Sequence, residues 1–170
     1  MKKMILTAAI AVFSLANINA QGEFNIGLGG GLPIGDAGDV ATFSAVLDVN
    51  YLFEVSEGFT AGPALGLSYS FSEEVDVPFG DGVVATIDLD DAIFLPIGGA
   101  ARYSLSDKFT VGADLGYALG INDGNDGGFY YSPRVQYGIT ETMDIVAAYR
   151  GIAADGGSFD VISLGIEFGL

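Results

Sequence analysis

The chain has 170 residues, half of them hydrophobic, yet it carries 22 acidic residues against 6 basic ones, a formal charge of −16. So few Lys and Arg cannot neutralise a run of phosphates, which excludes nucleic acid as a partner. Cys and His are both absent. That excludes disulfides, Cys-His and Ser-His-Asp nucleophiles, and His- or Cys-ligated zinc.

Residues 1–20 read as a secretory signal. Lys2 and Lys3 form the positive start, Met4 to Ala16 is mostly apolar but too short to span a bilayer, and Ile18-Asn19-Ala20 offers a cleavage site before Gln21. Residues 21–170 then form one domain, whose only cations are Arg102, Lys108, Arg134 and Arg150. No apolar run reaches the roughly 20 residues of a transmembrane helix, but alternating strands hide such hydrophobicity.

Eight alternating segments follow in order, divided by Gly, Asp and Asn clusters. The first runs from Phe24 to Leu32 and the second from Phe43 to Phe53. The third starts at Phe59 and is the clearest: Phe59, Ala61, Pro63, Leu65, Leu67, Tyr69 and Phe71 share one face, with Thr60, Gly62, Ala64, Gly66, Ser68, Ser70 and Ser72 on the other. The fourth carries Ile93, Leu95, Ile97, Ala101 and Tyr103 and ends near Leu105. Phe109 to Leu119, Phe129 to Ile139, Met143 to Ile152 and Ile162 to Leu170 complete the set, the seventh alternating least cleanly.

The second face of these strands is small and mildly polar, unlike the charged face a strand turns to open water. This predicts an all-β, eight-stranded, antiparallel up-and-down transmembrane barrel with its apolar side outward. The connections Glu54 to Gly58, Ser106 to Lys108 and Thr140 to Thr142 are short, and those at the other end are mostly longer and rich in Asp and Gly. Aromatic residues gather at both strand ends and leave the centres aliphatic, as two interfacial girdles would. Pro63, Pro96 and Pro133 fall inside strands, where each removes a ladder donor, so bulges or loosened pairs are expected there.

The chain resembles the small outer-membrane β-barrel proteins of Gram-negative bacteria, the porin-family barrels of the OmpA and OmpX type. Two features carry the likeness: Ile93-Phe94-Leu95-Pro96, similar to a Pro-containing fourth strand, and the chain end. There Ser163, Gly165, Phe168 and Leu170 fit the terminal assembly pattern, with Leu where Phe is usual. The resemblance implies an outer-membrane location, insertion by the barrel-assembly machinery through that last strand, and contact with outer-membrane lipid. It implies no single activity and no cofactor, and a monomer is expected.

Eight strands leave a lumen that side chains can fill. The inward set includes Asp48, Arg102, Asp114, Arg134, Gln136, Asp144, Arg150 and Glu167, and it holds all three arginines of residues 21–170. Ion pairs are expected to close the lumen: Asp114 with Arg134 near mid-barrel, and Arg102 at the level of Asp144 and Glu167. The alternative is a narrow porin-like channel with a charged constriction.

Alternation continues past the third strand through Val75, Val77 and Phe79 and resumes at Val83, Ala85, Ile87 and Leu89, around a Gly80-Asp81-Gly82 turn. One register runs from Phe79 with Val83 down to Phe59 with Tyr103. It predicts a long acidic hairpin leaving the membrane, with Glu74 opposite Asp88 and Asp76 on the same face. Such a hairpin offers backbone for strand addition by an extracellular protein or surface ligand. The acids there, and the loop Asn122 to Gly128, are read as solvated turn residues rather than a metal site. No catalytic pair is found, so a structural or surface-binding role is expected.

Overall fold

The computed structural model describes residues 22–72, 74–78, 84–88, 90–122, 125–154 and 156–170. The signal reading over residues 1–20 lies outside them, as do Gly80, Asp81 and Gly82. The described residues form ten strands: β1 Gly22–Ile34, β2 Ala41–Ser56, β3 Phe59–Ser72, β4 Glu74–Pro78, β5 Val84–Asp88, β6 Ala92–Ser104, β7 Phe109–Gly120, β8 Gly128–Gly138, β9 Met143–Ala154 and β10 Gly157–Gly169. Eight of them close into an antiparallel barrel in the order β1-β10-β9-β8-β7-β6-β3-β2, while β4 and β5 form a separate two-stranded sheet.

Polarity is inverted relative to a soluble barrel. Leu28, Leu47, Leu65, Leu115, Ile162 and Leu164 are exposed on the outer wall, with Leu28 at 58% and Leu164 at 63%. Asn25, Asn50, Asp114, Arg134, Arg150 and Glu167 are buried inside. Period-two geometry sends alternate side chains to opposite walls, so each strand serves both surfaces at once. Among the described residues no helix is long and apolar enough to cross a membrane, which says nothing of crossing by strands.

The aromatic residues pair within two girdles. At the long-loop end Phe43 stacks on Phe71, Phe71 lies against Tyr69, and Tyr131 touches both Phe129 and Tyr149. At the short-turn end Tyr51 meets Phe53 edge-on at 4.8 Å and Phe109 meets Tyr137 at 5.2 Å. Lys108 Nζ, in a short turn, lies 6.0 Å from the centre of the Tyr137 ring.

The prolines produce gaps rather than bulges. Pro96 interrupts the β3–β6 ladder between Leu65–Ile97 and Ser68–Phe94, and the register is the same on both sides. Pro63 does this to the β2–β3 ladder and Pro133 to the β8–β9 ladder. Each proline keeps its other neighbour: Pro63 pairs with Gly99, Pro96 with Ala118 and Pro133 with Ala113. A residue without an N–H loses a bond on one side only, so a closed barrel tolerates it. The register shifts flanking β2 lie elsewhere, at Ala41/Phe43 and Glu54/Ser56.

Two expectations are corrected. The third strand does not run unbroken into the hairpin: β3 ends at Ser72, and β4–β5 is its own sheet, in the register that pairs Glu74 with Asp88 and Asp76 with Thr86. Asp90 and Asp91 divide the two sheets. Asp91 accepts hydrogen bonds from the Ser72 N–H at 2.9 Å and from the Tyr69 hydroxyl, and the Ser72 hydroxyl donates to the Asp90 carbonyl at 2.7 Å. These contacts occupy groups that a continued ladder would use. The last loop is also tight, because β9 reaches Ala154 and β10 begins at Gly157.

Candidate functional site: the barrel lumen

Glycine and serine build the lumen wall before any charge enters it. Gly98 and Gly116 face one another on β6 and β7, and a Cβ on either would stand about 2 Å from a carbonyl oxygen of the other strand, at 2.0 and 2.1 Å. Ser44 and Ser70, both fully buried, share a hydrogen bond of 2.6 Å between β2 and β3. This narrow wall lets long side chains from the remaining strands fill the middle.

Arg134 stands at the centre. Its Nη2 lies 3.0 Å from Asp48 Oδ2 and 3.1 Å from Asp114 Oδ2, and its Nη1 lies 2.9 Å from Glu167 Oε2. Arg150 pairs with Asp48 through both terminal nitrogens, at 2.5 and 3.0 Å, and its Nε donates to Ser163 Oγ at 2.9 Å. Arg102 Nη1 lies 2.6 Å from Asp114 Oδ1. Three arginines thus meet three carboxylates drawn from six strands. Neutral partners add to it: Gln136 and Asn50 donate to Glu167 at 2.6 and 3.2 Å, and Asn25 donates to Asn50 at 3.1 Å, while Arg102 Nε and Nη2 and Arg134 Nε are buried without a hydrogen-bond partner among the described residues.

Such a network is costly to desolvate and holds only when each ion is met by opposite charge and further hydrogen bonds. Its attraction acts in a medium less screening than water, so removing one partner costs more than the pair contributes.

The structure departs from the sequence reading at Arg102. That guanidinium pairs with Asp114 rather than with Asp144 or Glu167. Glycine at position 112 explains the turn: a Cβ there would fall 2.5 Å from Arg102 Cδ, so the missing side chain leaves a channel along β7. Arg102 lies in that channel, and its Nη1 also donates to the Ala101 carbonyl at 2.9 Å and the Ala113 carbonyl at 3.3 Å. Asp144 pairs across β9 and β10 with Glu167 and makes no ion pair among the described residues.

Sequence reading missed a second, apolar layer nearer the long-loop end. Phe94, Ala118, Tyr130 and Ile152 are buried together there, with Ala92 and Phe159 packed on them. The signal was present. Phe129-Tyr130-Tyr131 places three aromatics in succession, so one must turn inward, and Phe94 sits between outward Ile93 and Leu95. Inward Val146 and Ile152 also account for the poor alternation of β9.

Among the described residues the lumen holds small cavities of about 10 Å³ each. That is about the room of one water molecule. Asp48, Tyr130 and Arg150 each line two of them.

The loop and terminal motifs have structural places. Asn122 Oδ1 accepts the Ile93 N–H at 3.0 Å, its amide donates to the Asp91 carbonyl at 2.8 Å, and Asn125 donates to the Ile93 carbonyl at 3.1 Å. At the chain end Ser163 is buried in the lumen, while Phe168 and Leu170 are on the outer side. Gly165 packs against β1, where a Cβ would stand 2.5 Å from the Leu28 carbonyl.

The sequence matches no protein-family model and no curated protein. Solved structures share the fold. The outer membrane protein Ail of Yersinia pestis in a phospholipid nanodisc aligns with TM-score 0.58 at 13% identity, over 88% of this chain and 100% of that one. The N-terminal β-barrel domain of Pseudomonas aeruginosa OprF gives 0.50 at 15%, over 88% and 100%. A de novo designed transmembrane β-barrel gives 0.53 at 11%, over 87% and 95%. The architecture is that of small outer-membrane barrels.

Proposed function

We propose that this chain is a non-catalytic outer-membrane barrel whose side-chain-filled lumen serves as a rigid anchor for an anionic, partner-binding surface at the long-loop end. The observation that carries this reading is the placement of cations. Arg102, Arg134 and Arg150 are buried in lumen ion pairs, and Lys108 sits in a short turn at the opposite end. The long-side connections, residues 35–40, 73–91, 121–127 and 155–156, contain no Lys or Arg. They carry Asp36, Asp39, Glu74, Asp76, Asp88, Asp90, Asp91 and Asp126 among their acids.

A face of one sign steers oppositely charged partners and repels like ones. The β4–β5 sheet adds a means of attachment, since each of its strands pairs only with the other among the described residues, leaving an outer edge free for strand addition. Ail, named for attachment and invasion, shares the fold and has also been solved with the heparin analogue sucrose octasulfate. The face described here, lacking cations, is expected to repel such a polysulfate and to favour a cationic protein surface instead. The apolar outer wall and its girdles suit contact with outer-membrane lipid, and the Ser163 to Leu170 pattern suits engagement by the insertion machinery.

The test is deletion of Val75 to Ile87. The shortened barrel should still show a mobility difference between boiled and unboiled samples in SDS gels, and should lose binding to a cationic protein-coated surface. Unchanged binding rejects the adhesive role.

A further inference from the structure

Two aromatic rings meet across the whole width of the lumen. Phe94 on β6 and Phe159 on β10 lie with ring centres 5.1 Å apart. In the closed order these strands stand four apart in either direction, which is as far as an eight-stranded ring allows. The residues packed with them share one level. Phe94, Tyr130 and Phe159 are each third from the start of their strand, and Ala118 and Ile152 are each third from the end of theirs. In an up-and-down barrel these positions all lie three residues from the long-loop end. The only side-chain polar atom among these five is the Tyr130 hydroxyl, and it is turned to the ion-pair layer, accepting from Arg150 Nη1 at 3.2 Å.

We propose that this apolar layer is a hydrophobic gate placed in series with the ion pairs, so that either obstruction alone stops ions. The inference rests on the closed-lumen reading above and goes beyond it by assigning two separate barriers. Opening the ion pairs would admit water and ions from the short-turn end as far as Arg150. An ion would still have to shed most of its hydration shell to pass the rings, where the neighbouring Ser68 and Ser70 of β3 offer only hydroxyls in return, and an apolar constriction excludes water for the same reason. Removing the rings alone would leave Arg134 bridging Asp48, Asp114 and Glu167 across the lumen.

The experiment is single-channel recording in planar bilayers on four proteins: the wild type, Arg134→Ser with Arg150→Ser, Phe94→Ala with Phe159→Ala, and all four substitutions together. Each is first shown to be folded by its heat-dependent gel mobility. The wild type and the two partial variants are expected to be silent, and the combined variant to give discrete steps. Steps from the wild type would sink the closed-lumen reading itself. Steps from either partial variant, with the wild type silent, would overturn the series arrangement alone. A folded but silent combined variant would overturn the assignment of these two layers as the whole obstruction.

A second measurement leaves the ion pairs intact. The chain has no native Cys, and Ser68, opposite Phe94 in the β3–β6 register, lines a cavity with Tyr130, Arg150, Ile152 and Phe159. In oriented proteoliposomes, Ser68→Cys should resist silver ion added at the long-loop side and react once Phe94→Ala and Phe159→Ala are present. Reaction with both rings in place overturns the gate.

Discussion

Arg134 on β8 reaches Asp48 on β2 directly across the lumen, at 3.0 Å, although the two strands stand four apart in either direction round the barrel. This bond ties opposite walls together and makes the interior charges a single network. Asp48 also holds Arg150, so its carboxylate serves two guanidiniums. Asp48→Asn is therefore expected to destabilise the barrel by about 3–5 kcal/mol, because two buried cations lose a counter-charge. Urea unfolding in lipid vesicles measures this. A loss below about 1 kcal/mol, the range of exposed pairs, would show that the network does not hold the walls.

Two adjacent glycines should behave oppositely. Gly98 faces the lumen, where a Cβ would meet the Leu115 carbonyl at 2.0 Å, whereas Gly99 faces outward with its nearest atom at 3.7 Å. Gly98→Ala is expected to cost about 1–3 kcal/mol through forced backbone movement. Gly99→Ala should stay within about 0.5 kcal/mol. The same unfolding measurement ranks them, and equal effects would contradict the close approach of β6 and β7.

Much of this arrangement was legible in the sequence, for a definite reason. Alternation in a barrel obeys one rule everywhere, so Phe59 to Phe71 already separated the outer wall from the inner one. One register carried Phe59–Tyr103 to Glu74–Asp88, across the gap at Pro96 and the end of β3. What escaped was whatever depends on the third dimension. Arg102 has neighbours on several strands at a similar height, and its choice of Asp114 follows from the space above Gly112. Phe94 and Phe159 are far apart in sequence and on opposite walls, so no local pattern could bring them together. At the end of β3 Asp91 competes for the Ser72 N–H and also takes the Tyr69 hydroxyl, contacts that no local pattern shows.

That competition gives a pH dependence. Asp91 lies in the connection before β6, and the hydrogen bonds from the Tyr69 hydroxyl and then the Ser72 N–H hold its carboxyl below the usual Asp range. A lowered pKa in the folded state means the stabilisation is present above the ordinary value, about 3.9, and is lost as pH falls through the lowered one. Amide exchange at Ser72, corrected for intrinsic rates, should show reduced protection below about pH 4. Tyr69→Phe should weaken the dependence. Protection at Ser72 that is independent of pH in both proteins would contradict the contact.

A cation on the outer wall should be excluded where one on the inner wall is accepted. Leu164 is 63% exposed near the middle of β10. Leu164→Arg is expected to cost about 2–4 kcal/mol for folding into a bilayer. The increment should shrink for Leu170→Arg at the chain end, nearer the interface, and equal penalties at the two positions would contradict the depth assignment.

The outward apolar wall can be probed directly. The chain contains no Trp, so single Trp residues introduced by Leu28→Trp, Leu47→Trp, Leu115→Trp and Leu164→Trp report separately from β1, β2, β7 and β10. In bilayers of lipids brominated along the acyl chains, strong fluorescence quenching is expected at all four sites. Trp emission that stays unquenched, or is quenched on one side of the barrel only, would contradict it.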